Sequence, residues 1–274
     1  MKTIMTLLVR DEIDIIKQNI DFHLENQIDG IIVTDNGSID GTRDILQDYL
    51  NARKILKIID EPQHNYNQQL WVNRMAEIAT CEFQAEILIH ADADEFWKPR
   101  TEYKTIFNGQ FRVKQIRANN IVLSDNPWPH NIEYVSIKPC NGSLLENPML
   151  NFVWKKVVLD VRHGMISVSQ GNHRASLPSE YTEEVSVIHL PVRDKQSFFR
   201  KVINGGSAYE NSDFPESTGV HWREWYKLYQ LGKLEKLYDA MLIDENKAKY
   251  LLEENFIVKI EDFIGDFSVF GLRK

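Results

Sequence analysis

The sequence predicts a mostly parallel, doubly wound α/β sheet flanked by helices, with a helical subregion at its C-terminal end. Three observations carry this expectation. Short β-branched runs alternate with longer amphipathic segments through the first hundred residues, the pattern of strands joined by crossover helices. Polar clusters stand at the ends of those runs, at Arg10-Asp11-Glu12, Asp35-Asn36-Gly37-Ser38 and Asp92 to Glu95, where sheets of this kind bind ligands. The last third of the chain changes to helical periodicity.

Taken in order, Thr3–Val9 reads as the first strand and Glu12–Glu25 as the helix that returns from it. Gly30–Thr34, Ile55–Ile59 and Glu86–His90 read as the next strands, separated by helices at Thr42–Tyr49 and Gln68–Cys81. Between residues 100 and 190 the pattern turns β-rich, with Phe111–Arg117, Phe152–Leu159, Met165–Ser169 and Val185–Leu190 punctuated by Pro, Asn and Gly. Lys195–Glu210 and His221–Glu254 are helical in period, and an extended tail follows. No internal repeat interrupts the chain, so the expected organisation is one domain over 1–210, in halves 1–100 and 101–210, and a subregion over 211–274.

Composition narrows the class. A chain of 274 residues, 43% of them apolar, buries enough surface to fold without staples. Its two cysteines, Cys81 and Cys140, form neither a disulfide framework nor a metal-ligand spacing, and point to a reducing compartment such as the cytoplasm. A formal net charge of −8 argues against a general affinity for nucleic acid. The N-terminus lacks a cleavage site, and no apolar run reaches the roughly 18 residues of a membrane span, so any membrane association is peripheral.

The segment Leu88-Ile89-His90-Ala91-Asp92-Ala93-Asp94-Glu95-Phe96-Trp97 drives an interior strand straight into three carboxylates. Burying them without a cation is costly. Carboxylates at a strand end can hold Mg²⁺ or Mn²⁺, and Mg²⁺ usually takes only one or two from the protein. The bland alternative is a solvated acidic turn. A second cluster, Ile31-Ile32-Val33-Thr34-Asp35-Asn36-Gly37-Ser38-Ile39-Asp40-Gly41-Thr42, reads as strand, tight turn and helix start. Gly37 can supply a positive φ, and Ser38 or Asp40 can cap the helix. Asp35 and Asn36 then stand at the strand end, available to a ligand, although such junctions are as often structural.

Together with Leu7-Leu8-Val9-Arg10-Asp11-Glu12, these two motifs resemble bacterial family 2 glycosyltransferases of the GT-A fold. The resemblance is strong over about residues 1–100. Gln170-Gly171-Asn172-His173, Ile188-His189-Leu190-Pro191 and the Phe199–Gly206 helix are similar to a subgroup whose acidic motif reads DADEF. It implies a metal-dependent, inverting transferase that moves a sugar from a UDP- or GDP-sugar to a glycan or lipid-linked acceptor, at the inner face of the membrane. Residues 1–100 would be the nucleotide-binding half and 101–210 the acceptor and metal half.

Carried over by position, Asp35 looks like the nucleobase reader and Glu12 like the first-loop glutamate beside the nucleotide. Asp92 and Asp94 look like the DxD pair, with Asp94 on the metal and Asp92 at ribose or metal-bound water. His189 looks like the late histidine that joins the metal in several GT-A enzymes, against the simpler reading of a core histidine. Gln68, Trp71, Asn73 and Arg74 lie where this fold lines its nucleotide cleft, although Trp71 and Met75 are spaced for the core. Where relatives open with a proline-aromatic-asparagine-glutamate turn, this chain has Arg10, which can contact diphosphate or pair with Asp11.

An inverting transferase needs a base for the acceptor hydroxyl, and the family's downstream Glu-Asp motif has no clear match here. Asp125, Asp160, His173, Glu183 and Glu184 are the candidates. His173 sits in a turn that can face a cleft, and Glu183 can be the missing carboxylate. Arg200 and Lys201, on a helix before the flexible-looking Gly205-Gly206 pair, can clamp diphosphate or be surface charge. Trp222, Trp225, Tyr226 and Tyr229 share a helix face, as a packing stripe or a sugar platform. Two other classes stand beside the transferase. A nucleotidyltransferase calls for a glycine-rich first loop, which Val9-Arg10-Asp11-Glu12 is not. A binding-only module would not need the full set of Asp35, Asp92 and Asp94.

Overall fold

The computed structural model describes residues 1–63, 67–107, 109–140, 147–151, 154–210 and 212–264. In chain order its elements are β1 (Thr3–Val9), α1 (Ile16–Glu25), β2 (Gly30–Asp35), α2 (Thr42–Asn51), β3 (Ile55–Asp60), α3 (Gln68–Cys81), β4 (Ile87–Asp92) and β5 (Glu95–Pro99). There follow α4 (Tyr103–Ile106), β6 (Val113–Leu123), β7 (Ile132–Ser136), α5 (Pro148–Asn151), β8 (Trp154–Asp160), β9 (Ser179–Tyr181) and β10 (Val185–His189). The chain ends in α6 (Lys195–Glu210), α7 (Val220–Gln230), α8 (Leu234–Met241), α9 (Glu245–Glu253), β11 (Ile257–Lys259) and α10 (Ile260–Ile264).

The fold divides into two compact units, one of residues 1–63, 67–118 and 154–188, the other of 119–153 and 189 onward. The division expected at 210 therefore falls inside the second unit. In the first, the predicted parallel sheet is present, in the order β3-β2-β1-β4. Its runs are almost wholly apolar because helices cover both faces. Met5, Leu7 and Val9 of β1 join the core that holds Ile16, Ile20 and Leu46. Ile4, on the opposite face, joins Val72, Met75 and Ala76 of α3. Trp71 is buried too, as its spacing with Met75 indicated.

Strand order reverses beside β1, since the chain lays β2 and β3 on one side and returns through α3 to lay β4 on the other. Beyond β4 the sheet turns antiparallel, with β8 against β4 and the first half of β6 against β8.

Several expectations are corrected. Met165–Ser169 is not a strand and contributes one isolated bridge, Val168 to Ala175. Glu95–Pro99 is a strand, paired with β10, because Phe96 and Trp97 point their bulk into the core. Phe152, the expected start of β8, lies outside the described residues, as does the end of the tail, but Ile257–Ile264 forms a strand and a short helix.

In the second unit β7 lies antiparallel between the end of β6 and β11. His221–Glu254 is three helices, broken after α7 by Gly232 at φ +66°. The Gly205-Gly206 pair is no hinge, because α6 runs through it. A Cβ on Gly206 would stand 2.2 Å from Tyr226 Cβ, and one on Gly205 3.0 Å from the Trp222 ring. The glycines let α7 pack closely, and Trp222, Trp225 and Tyr226 of the aromatic stripe form the packing face, with Trp225 buried edge-on against Phe198 at 5.6 Å, while Tyr229 is exposed.

Candidate active site at the strand-order switch

Register places two acidic strand ends on either side of β1, with Val9 opposite Asp35 and Leu8 opposite Asp92. This is the point where strand order reverses, the crevice in which open α/β sheets bind ligands.

The loops after β1 and β2 are laced together. Asp35 Oδ1 accepts from Ser38 N at 3.0 Å and Ser38 Oγ at 2.6 Å, and Ser38 Oγ accepts in turn from Asp11 N at 3.0 Å. Gly37 takes the positive φ expected of it, +71°. Asp40, rather than Ser38, serves the helix start, with Oδ1 accepting from Thr42 N at 3.0 Å and Thr42 Oγ1 at 2.6 Å. Glu12 N donates to Thr42 Oγ1 at 2.9 Å, and Glu12 is buried. Asp11 sits at φ +54° and accepts from Ile39 N at 2.8 Å.

Asp35 is 3% exposed, and its other oxygen lies 3.9 Å from Arg43 Nε. Asn36 donates to Glu61 O and Gln63 O at 2.8 and 2.9 Å, tying down the end of β3. Arg10 does pair with Asp11, at 3.9 Å, and also donates to Asn36 O at 2.5 Å. Asn73 anchors α3 to Val168, exchanging hydrogen bonds with its N at 3.0 Å and its O at 3.2 Å. Arg74 Nη1 meets Glu61 at 2.6 Å, while Nε and Nη2 are buried without a hydrogen-bond partner among the described residues.

The carboxylate turn is built around a lysine that sequence reasoning passed over. Lys156 Nζ, on β8, lies 3.0 Å from Asp92 Oδ2 and 2.5 Å from Glu95 Oε1. Burial alone would pull the ammonium's pKa down, but Asp92 and Glu95 more than offset this and hold it above the ordinary lysine range. Asp92 Oδ1 accepts from Gln68 Nε2 at 3.1 Å, and Gln68 Oε1 accepts from Gly171 N at 3.1 Å. Glu95 is fully buried, with Oε2 3.2 Å from Trp97 Nε1. The Asp92 side chain keeps 31% of its surface exposed, and Asp94 is buried.

Two further residues on α1 hold this turn. Asn19 Nδ2 donates to Ala93 O and Glu95 O, and His23 Nε2 accepts from Trp97 N at 3.0 Å. Its Nδ1 faces Asn19 O at 2.8 Å, fixing a neutral tautomer, and burial pushes the His23 pKa down to about 3. Neither residue stands out in the sequence, where both read as polar positions of an amphipathic helix. Lys156 left a weak signal, one of two adjacent lysines that lead into an apolar strand run.

The remaining candidates each have surroundings of their own. His173 stacks on Trp154 at 5.1 Å and directs Nδ1 at Lys155 O, 2.8 Å away. Glu183 is exposed in the turn between β9 and β10. Asp160 is bound to Arg162 at 2.7 Å; burial raises its pKa, but that hydrogen bond outweighs it and the carboxyl titrates below its usual range. In the second unit, His189 places Nδ1 3.0 Å from Asn120 Oδ1. Arg200, with Lys195, Gln196, Phe199, Ile203 and Asn204, lines a hollow of about 550 Å³ along α6, whereas Lys201 lies outside that lining. Among the described residues no group of three or more His, Cys, Asp or Glu is arranged to hold a metal ion.

Residues 8–108 match the family described as Glycosyl transferase family 2. No curated protein matches the chain. Among solved structures, S. aureus TarS is similar at 12% identity and a TM-score of 0.44, over 85% of this chain and 43% of that one. The chain thus spans less than half the length of that TarS chain. The TarS 1-349 structure in complex with UDP gives 12% identity and a TM-score of 0.42, over 96% of this chain and 77% of that one. The mannosyltransferase PcManGT from Pyrobaculum calidifontis, in complex with GDP-Man and Mn²⁺, gives 14% and 0.43, over 93% and 79%.

Proposed function

We propose that this chain, whose residues 8–108 match the family described as Glycosyl transferase family 2, is a glycosyltransferase that moves a sugar from a UDP- or GDP-sugar to a hydroxyl of a glycan or lipid-linked acceptor, with inversion. The observation that carries this is the register at the switch point, which sets Asp35 and Asp92 on opposite flanks of β1. A nucleotide laid across that crevice would meet Asp35, Asn36, Glu12 and Arg10 on one side and Asp92 and Asp94 on the other, with Asn73 and Arg74 on α3 beside it.

The donor set fits one hard divalent cation, Mn²⁺ or Mg²⁺. Asp92 is open enough to be reached, Asp94 stands two residues on, and such ions commonly take only one or two protein carboxylates. Asp92 and Asp94 would hold it, and bound there it would neutralise the departing diphosphate.

Transfer forms a bond from the acceptor oxygen to the anomeric carbon as the bond to diphosphate breaks, and the hydroxyl proton needs a base. His173 is one choice, since Nδ1 faces a carbonyl oxygen and so carries the proton, leaving Nε2 the basic nitrogen. Glu183, an exposed carboxylate, is the other. Aligning donor and acceptor and stabilising the leaving charge supply much of the catalysis. Among the described residues no helix is long and apolar enough to cross a membrane, and a lipid-linked acceptor would be met at the inner membrane surface from the cytoplasm.

Isothermal titration with UDP, GDP and their sugar conjugates, with Mn²⁺ or EDTA, tests this reading. Metal-dependent binding of one nucleotide that Asp94→Asn abolishes is the expected result. Binding of none of them under either condition overturns it.

A further inference from the structure

We propose that Lys156 is a positioning residue that offsets one carboxylate charge of the Asp92–Glu95 turn, so tuning its affinity for a divalent cation, and keeps Glu95 out of the metal's reach. The inference rests on the metal assignment to Asp92 and Asp94 above. Taken by themselves, the three carboxylates and the Lys156 ammonium carry a formal charge of −2. The ammonium is sealed in, with the Lys156 side chain 4% exposed and Glu95 not exposed at all. It therefore serves the turn and not the substrate.

Geometry divides the carboxylates by task. Glu95 gives one oxygen to Lys156 at 2.5 Å and the other to Trp97 Nε1 at 3.2 Å, so it is spent on the protein interior. Asp92 gives Oδ2 to Lys156 at 3.0 Å while keeping a solvent-facing portion, so it is oriented without being covered. A carboxylate oxygen has two lone-pair directions, and Asp92 can accept from Lys156 and still face a cation. Strand pairing enforces the arrangement. Antiparallel pairing of β8 with β4 runs through Leu88–Leu159 and Ile89–Val158, and Lys156, two residues before Val158 on β8, lies toward the C-terminal end of β4.

A lysine with only a packing role would leave metal affinity indifferent to which charge is removed. A lysine that sets the charge orders the affinities by formal charge. Mn²⁺ binding, followed by electron paramagnetic resonance without nucleotide, would be compared in the full chain and in Lys156→Met, Glu95→Gln, the double variant and Lys156→Arg, each checked for folding by circular dichroism. Lys156→Met raises the turn to −3 and should bind Mn²⁺ at least tenfold more tightly. Glu95→Gln lowers it to −1 and should bind at least tenfold more weakly. The double variant restores −2 and should return to within about threefold of the parent, as should Lys156→Arg; it also covers the case in which Lys156→Met alone does not fold.

A folded Lys156→Met that binds Mn²⁺ no better than the parent overturns the proposal, as does a double variant that fails to return. A parallel titration with UDP and GDP in the presence of Mn²⁺ separates the two readings. If the charge order holds and neither nucleotide binds the parent, the donor assignment fails and the role of Lys156 stands.

Discussion

Asn19, on α1, donates its side-chain amide to the main-chain oxygen of Glu95 at 2.8 Å, and the same nitrogen reaches Ala93 O at 2.9 Å. One buried amide thus brackets Asp94. The helix that follows the first strand thereby fixes the turn that follows the fourth, and the carboxylates inherit the rigidity of α1. A residue positioned in this way needs no contact with substrate to govern the geometry of the site.

Asn19→Ala strands both carbonyl oxygens in the interior. An unmade buried hydrogen bond costs about 1–3 kcal/mol, so the variant should lose about 2–4 kcal/mol in urea unfolding. Asn19→Asp should be no milder, because it turns a carboxylate toward two carbonyl oxygens. Stability of either variant within 0.5 kcal/mol of the parent, as a rough threshold for surface-like changes, would show that the bracket bears no load.

The acid limb of the stability curve follows from two buried histidines. Burial pushes His23 and His90 each down to about 3 from the ordinary 6.5. Both are neutral in the folded chain and protonate once unfolded, so between those values the unfolded state binds more protons and stability rises with pH. Their contribution is complete above about pH 6.5 and is lost as pH falls toward 3. Each is worth about 1.4 kcal/mol per pH unit in that window, which predicts about 3 kcal/mol lower stability at pH 5.5 than at 7.5, where carboxylates stay ionised. Urea midpoints at the two pH values measure it, and His23→Gln should halve the difference.

Gly206 lies inside α6, where alanine would ordinarily add about 1 kcal/mol of helix propensity. Here the added Cβ would stand 2.2 Å from Tyr226 Cβ, and overpacking of that kind costs about 1–3 kcal/mol. Gly206→Ala should therefore lower Tm rather than raise it. Because the closest contact is Cβ to Cβ, adding Tyr226→Ala should not restore it. A Tm equal to or above the parent's would mean the two helices separate at no cost.

The parallel half of the fold was legible because strands buried on both faces leave continuous apolar runs such as Ile31 to Val33, which no loop imitates. Asp92 to Glu95 was legible for a related reason, since three carboxylates beside an interior strand demand an explanation. What answers their charge was not. Lys156 is more than sixty residues from its partners, and the face a strand lysine presents is defined only once the strand is paired. Asn19 and His23 stand four apart on a helix, a spacing shared by buried networks and solvated faces alike. Gly205-Gly206 misled in the opposite direction, because close helix packing and flexibility ask for the same residue.

Asp35 is where structural and ligand roles can be separated. Its Oδ1 organises the turn through Ser38 N and Ser38 Oγ, at 3.0 and 2.6 Å, whereas Oδ2 faces Arg43, at 3.9 Å. In Asp35→Asn the amide oxygen can take over the Ser38 contacts, so the turn should persist with a stability loss of about 1 kcal/mol or less, the range of a single modest hydrogen bond. The amide nitrogen, however, places a donor where the carboxylate accepted, and a nucleobase N–H recognised there would meet another N–H. A mismatch that leaves a buried polar group unpaired discriminates strongly, so nucleotide affinity should fall at least tenfold while the fold is kept. Asp35→Ala should lose both properties, and Ser38→Ala should lose stability with a smaller effect on affinity. Calorimetric titration of the three variants, paired with their urea midpoints, reads the two roles independently; unchanged affinity in Asp35→Asn would confine Asp35 to building the turn.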